Sequence, residues 1–139
     1  MGSLLLEQCF SFFQKSRMIA CDHDQAALAA HAKRYPGLSV TTRAGEAVAS
    51  ADCFFLAVKP QQFEDLALEI KSAVASDALC VSIMAGVPLA ALAQSGAKKI
   101  IRAMPNTPVK IGQGVVGWIA SPAVSSEETA LMVDFFQRF

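Results

Sequence analysis

An α/β fold with a doubly wound parallel sheet is what this sequence predicts, on three observations. Short apolar runs alternate along the chain with segments of helical pattern, as strands joined by crossover helices do. Two of the runs, Cys53–Val58 and Leu79–Met84, are apolar almost throughout, which a strand buried on both faces requires and a half-exposed strand does not. The chain has 139 residues, the length of one domain, without internal repeat, low-complexity tract or linker.

The elements follow in order. Gly2–Lys15 is a helix, with Leu4, Leu5, Phe12 and Phe13 forming an apolar stripe at roughly helical spacing. Arg17–Cys21 is a short strand that stops at Asp22, and Asp24 is placed to cap the Ala-rich helix Gln25–Arg34. Pro36-Gly37 ends that helix, Leu38–Thr42 is a β-branched strand, and Ala44–Ala51 is a small helix. After the buried strand Cys53–Val58 and the Lys59-Pro60 step comes a helix over Gln61–Ala75, then the strand at Leu79 and a helix over Pro88–Gln94 with proline in its first turn. Lys99–Met104 and Gly114–Ala120 are strands, and Ser125-Ser126-Glu127-Glu128 starts a last helix that runs on through Ala130–Phe139. All the strands are expected in a parallel sheet covered on both faces.

Composition narrows the function. Hydrophobic residues make up 53% and charged residues 17%, which rules out intrinsic disorder. Twelve basic and twelve acidic residues cancel, so there is no global pull toward phosphate backbones or anionic lipid, and neither nucleic acid nor a membrane is expected as a partner. Cys9, Cys21, Cys53 and Cys80 stand far apart with no C-x-x-C pair and no histidine at ligand spacing, so no metal site is expected and the thiols read as reduced and cytoplasmic. The amino end lacks the basic start and unbroken apolar core of a signal peptide, and Leu6 breaks a myristoylation motif. The uncharged run Ala78–Ala97 is long enough to cross a bilayer, but Gly86, Pro88, Gln94, Ser95 and Gly96 divide it into a strand, a turn and a small helix.

In an open parallel sheet ligands bind beyond the carboxyl ends of the strands. Asp22 stands there, suited to accept ribose hydroxyls or, more plainly, to cap a helix. Ala57-Val58-Lys59-Pro60 puts a cation after a buried strand with its turn fixed by proline, suited to phosphate or ribose; the plain alternative is a lysine snorkelling from a strand end. Met84-Ala85-Gly86 gives small residues that let a flat ligand approach the backbone, as an ordinary turn also would. Met104-Pro105-Asn106-Thr107-Pro108 holds an amide side chain between prolines, able to orient a carboxamide or simply to make a turn. No Ser-His-Asp set or paired carboxylates appear, and no catalytic residue follows from the chemistry alone.

At these strand ends the sequence resembles the pyrroline-5-carboxylate reductases, which reduce a cyclic imine to proline with NADPH or NADH. The likeness lies in Ala51-Asp52 through Ala57-Val58-Lys59-Pro60-Gln61, in Val81-Ser82-Ile83-Met84-Ala85-Gly86-Val87, and in Ile101-Arg102-Ala103-Met104-Pro105-Asn106-Thr107-Pro108 followed by Gly112 and Gly114. The combination of the Lys-Pro strand end with the Met-Pro-Asn-Thr-Pro segment is specific. The resemblance implies a Rossmann-type domain and a role in proline biosynthesis. It places Ala57–Pro60 and Ile83, Met84 and Ala85 against NADP or NAD, Asp22 by the adenosine ribose, Gly2 in what remains of the glycine turn, and Asn106 near the nicotinamide. Asp22 leans toward NAD by like charge, yet the family takes either cofactor.

The chain also departs from the family pattern, since Met1-Gly2 corresponds to the last two positions of a Gly-x-Gly-x-x-Gly turn. The first strand and most of the Gly-rich turn are therefore expected to be lacking. The family's helical domain, which forms the dimer and most of the imine site, is likewise expected to be absent, so residues 1–139 read as a truncated NAD(P)-binding domain that is inactive alone. A homo-oligomer is expected only of the full-length protein. Two readings compete: the nucleotide domain of another reductase, akin to the F420-dependent NADP reductases, and a non-catalytic module of the same fold.

Overall fold

The computed structural model describes residues 1–14, 16–106, 108 and 113–139, so Lys15, Thr107 and Gly112 of the sequence reading lie outside the described residues. Twelve principal elements run α1 (Gly2–Phe12), β1 (Ile19–Cys21), α2 (Gln25–Arg34), β2 (Ser39–Thr41), α3 (Ala44–Val48), β3 (Cys53–Leu56), α4 (Phe63–Ile70), β4 (Leu79–Ser82), α5 (Leu89–Leu92), β5 (Lys99–Pro105), β6 (Val116–Ala120) and α6 (Ser126–Phe136). This is the expected α/β, Rossmann-type order.

Local signals act as the residues suggest. The Asp24 carboxylate accepts the N–H groups of Ala26 at 2.9 Å and Ala27 at 3.1 Å, closing the first turn of α2. At α6, Ser125 Oγ accepts the Glu128 N–H at 3.1 Å while the Glu128 carboxylate accepts the Ser125 N–H at 2.9 Å. The helix expected over Gln61–Ala75 is divided, because Pro60 opens a 3-10 turn, Pro60–Gln62, before α4 begins.

The alternation of side chains across β3, β4 and β5 builds two cores. Phe54, Leu56, Cys80 and Ile100 face α3, α4 and α5 with Phe63, Ala67, Ile70 and Leu92. Leu79, Val81, Ile101 and Ala103 face α1 and α6 with Leu5, Cys9, Met132 and Phe135. Both faces of these strands are buried, which is why their sequences are apolar at nearly every position.

Two features correct the expectation of one parallel sheet. β3, β4 and β5 are parallel, but β6 pairs with β5 antiparallel, Ala103 opposite Trp118. The β5–β6 connection, residues 106–115, is shorter than the dozen or so residues that a parallel crossover needs. Second, β1 and β2 form a separate two-stranded parallel sheet, and no ladder joins β1 to β3. Among the described residues, each of those strands therefore keeps one edge without a ladder partner.

Candidate functional site

Three contacts relate the ends of these strands. Arg17 Nη2 donates to Ser50 Oγ at 2.8 Å, tying the start of β1 to the approach to β3. At the opposite end, a Cβ placed on Gly2 would stand 3.8 Å from the Ala57 Cβ, so the amino end of α1 lies against the carboxyl end of β3. The Asp22 N–H donates to Thr41 O at 3.4 Å, so β1 and β2 also finish together. The α1 amino end and Ala57 thus share one rim of the molecule, and Asp22 stands with Thr41 at the joint end of β1 and β2. The carboxyl ends of β4 and β5, in parallel register with β3, complete the rim.

At this rim the first turn of α1 is chemically open. Its N-cap is Met1, with no side-chain cap and no acidic residue in the turn, so the first N–H groups and the positive end of the helix are available to an anion. Next to it, the Lys59 turn is closed from both sides: the Lys59 N–H donates to Gln62 Oε1 at 3.3 Å and the Gln62 N–H to Lys59 O at 2.9 Å. That turn holds Ala57, Lys59 and Pro60 exposed, with Val58 half-buried against the core. Gln62 was not among the expected site residues. Its signal was the Lys59-Pro60-x-Gln62 spacing, a side chain three residues on that can reach back to the turn.

At the end of β4 the three expected residues part company. Met84 turns into the core at 2% exposure, so only its backbone faces the rim, and its N–H donates to the buried Ser82 Oγ at 3.2 Å. Ile83 is half-buried on the other face, packed in an apolar crevice with Ala103, Pro105, Val116, Phe136 and Phe139 that has no room for a water molecule. Ala85 and Gly86 are the exposed pair, and Gly86 has φ +76° with nothing within 4 Å of where a Cβ would stand. A flat group can lie against this backbone.

Asn106 acts first as a clip: its Oδ1 accepts the Val115 N–H at 2.9 Å, and its own N–H donates to Val115 O at 3.2 Å. The carbonyl half of its amide is thereby committed to holding the two ends of the 106–115 loop together. Asp22, 47% exposed in its side chain, accepts the Asp24 N–H at 3.0 Å and lies 3.2 Å from His23 Nδ1. Gly2, Ala57, Lys59, Pro60 and Ala85 are the accessible groups of the rim with Ile83 and Met84 as its apolar support, and Asp22 is exposed at the end of β1.

This donor set fits a dinucleotide: helix N–H groups and a lysine for phosphate, a carboxylate for ribose, and an open glycine backbone for a ring. It offers little else. Among the described residues no group of three His, Cys, Asp or Glu side chains can hold a metal. Burial pushes the thiols of Cys9, Cys53 and Cys80 up to about 12, which removes them as nucleophiles.

Residues 1–86, from α1 to the end of the β4 turn, match the family model described as NADP oxidoreductase, coenzyme F420-dependent. The chain belongs to that family. Within it, this chain is similar over 99% of its length to pyrroline-5-carboxylate reductase of Escherichia coli (strain K12), 34% identical over 140 residues, which are 48% of that protein. The chain spans about half the length of the curated relatives it matches. Among solved structures, a pyrroline-5-carboxylate reductase from Coxiella burnetii superposes on 99% of this chain and 52% of its own, with TM-score 0.88 and 23% identity. The Plasmodium falciparum pyrroline carboxylate reductase, solved with NADP bound, covers 88% of this chain and 54% of its own at TM-score 0.68 and 22% identity. The resemblance found in the sequence is thus shared by whole-chain comparison, and the fold is that of these oxidoreductases.

Proposed function

We propose that this chain is the NAD(P)-binding part of a pyrroline-5-carboxylate reductase, the cytoplasmic enzyme of proline biosynthesis that reduces 1-pyrroline-5-carboxylate. The observation that carries the reading is the whole-length similarity to the E. coli reductase, which extends past the family match at residue 86 to the Met104–Pro108 segment. In this reading the α1 amino end and Gly2 face the pyrophosphate, Lys59 and Pro60 flank the phosphate and ribose, and Asp22 receives the adenosine ribose. Ala57, Val58 and Ala85 line the path of the dinucleotide, Ile83 and Met84 support it from below, and Asn106 stands toward the nicotinamide. When bound, the cofactor supplies the hydride. The residues of this rim hold and orient it, and none of them is positioned as an acid or base.

The imine needs a second surface to bring its carbon to the nicotinamide, because positioning provides most of the rate of such a transfer. We place that surface in the helical part of the full-length protein, together with its homo-oligomer contacts. Assay of this chain with the cyclic imine and either reduced cofactor is the test, and no turnover above a buffer control is expected. Turnover by these 139 residues would overturn the assignment of the imine site to another part.

A second reading, an NADP reductase that uses coenzyme F420, is favoured by the family match over residues 1–86. Activity of a full-length protein on the deazaflavin, with none on the imine, would decide for it.

A further inference from the structure

We propose that the free edge of β6 is a docking edge for a second copy of this chain, the two β6 strands pairing antiparallel about a two-fold axis at Trp118. The inference is independent of the dinucleotide reading, and the contact is separate from the oligomer contacts placed in the helical part of the full-length protein. β6 ends the four-stranded sheet, and among the described residues no strand pairs with its outer edge. Native edges are protected by charges, prolines or bulges. β6 has none of these: its register with β5 runs from Val116–Pro105 to Ala120–Ile101 without a skipped residue, and no charged residue occurs between Gln113 and Ser126. Val115, Trp118 and Ile119 are exposed along it, and Met104 beside it on β5.

The alternation of the β5–β6 ladder decides which backbone groups face out. At one end the Asn106 N–H donates to Val115 O at 3.2 Å, and at the other the Ser121 N–H donates to Ile100 O at 2.8 Å. Val115 and Ser121 therefore belong to hydrogen-bonded pairs, as do Gly117 and Ile119 between them, so Val116, Trp118 and Ala120 turn their N–H and C=O groups to the open edge. With Trp118 opposite Trp118 of the second copy, Val116 falls opposite Ala120, and every outward donor meets an outward acceptor. A slip of one residue sets outward groups against inward ones. A slip of two sets Ala120 against Gly114, whose N–H already donates to Phe139 O, or Val116 against Pro122, which has no N–H. The favoured register also puts Gly117 opposite Ile119 in the close, non-hydrogen-bonded pairs. Gly117 has open space where a Cβ would stand and Ile119 is 52% exposed, so each isoleucine fits over the glycine of the other copy. A charge-free strand on a chain of zero net charge meets no repulsion from its copy. One five-residue strand is a smaller contact than the roughly 800 Å² per partner of a standard interface, so a reversible, micromolar dimer is expected.

The test is amide hydrogen exchange of the ¹⁵N-labelled chain at a series of concentrations, together with sedimentation velocity and the emission of Trp118, the only tryptophan. Exchange at Val116, Trp118 and Ala120 should slow as concentration rises, while Gly117 and Ile119, already bonded to β5, stay constant. That pattern separates this contact from association through any other edge. Trp118→Lys and Trp118→Glu each set like charges directly opposite one another across the axis, and each alone should weaken the dimer about tenfold or more. An equimolar mixture of the two should restore pairing as a heterodimer, which also shows that both variants fold. Constant exchange at the three outward amides of the parent chain, protection unchanged in both variants, or no recovery in the mixture overturns the proposal. Protection that arises only when a different protein is added assigns the edge to another partner and overturns it too.

Discussion

Gly96→Ala is the substitution whose cost the structure specifies most closely. Gly96 ends the 3-10 turn Ala93–Ser95 at φ +90°, and its N–H donates to Ala93 O at 3.1 Å. A Cβ there would stand 2.6 Å from the carbonyl oxygen of Lys71, 3.3 Å from its carbonyl carbon and 3.4 Å from its Cα. Lys71 directly follows α4, whose Ala67 and Ile70 are 2% and 1% exposed in the core, so this backbone has little room to retreat. Left-handed strain for an L-residue costs about 1–2 kcal/mol, and forcing atoms into a packed contact costs about 1–3 kcal/mol more. The sum is roughly 2–5 kcal/mol, or a fall in Tm of about 6–20 °C at roughly 3–4 °C per kcal/mol for a domain of this size. Gly37→Ala is the control: it has the same φ of +90° with nothing within 4 Å, so it carries the strain without the clash. The loss of unfolded-chain entropy is common to both and cancels in the difference. Urea unfolding of the two variants, with equal slopes, measures that difference directly. If Gly96→Ala is no less stable than Gly37→Ala, the argument from the Lys71 carbonyl is wrong.

The remaining expectations are brief. Lys59→Ala should weaken cofactor binding by about 1–3 kcal/mol, the range of a charge-assisted hydrogen bond, measured by titration of cofactor fluorescence; an unchanged Kd would return Lys59 to a surface role. Ser125→Ala should cost about 1 kcal/mol by removing the cap of α6, read as a shift in urea midpoint. Burial works to raise the Glu128 carboxyl, but the hydrogen bonds from Lys99 at 2.8 Å and from the Ser125 N–H outweigh it and hold the group below its ordinary 4.5. A lowered carboxyl stabilises the fold above the unfolded value and loses that contribution as pH falls through the folded one, so acid unfolding below about 4.5 should be shallower in Glu128→Gln. A thiol reagent at pH 8 should label Cys21, the exposed cysteine, well before Cys9, Cys53 and Cys80, which should react only with unfolding; equal rates would contradict the burial pattern. Light scattering should detect self-association through the open edges of β1 and β3; a monodisperse chain would count against exposed edges.

Much of this molecule could be read along the chain, because the relevant signals act between neighbours. Asp24 and Ser125 cap their helices through N–H groups two or three residues away, Pro60 sets the turn that holds Lys59, and the apolar runs at Cys53 and Leu79 mark strands buried on both faces. The rim itself could be located for the same reason, since it consists of the residues that follow each strand. What the sequence left open depends on partners far away in the chain. An all-apolar run has no polar face to fix which residues point where, so only packing decided that Met84 enters the core while Ala85 stays at the rim. The amide of Asn106 found its partner nine residues on, at Val115, and became a loop clip. The direction of β6 and the separation of β1–β2 from the main sheet are set by ladder hydrogen bonds between distant strands. Those bonds form or fail according to what the folded chain places beside each edge, and local propensity contains no information about that.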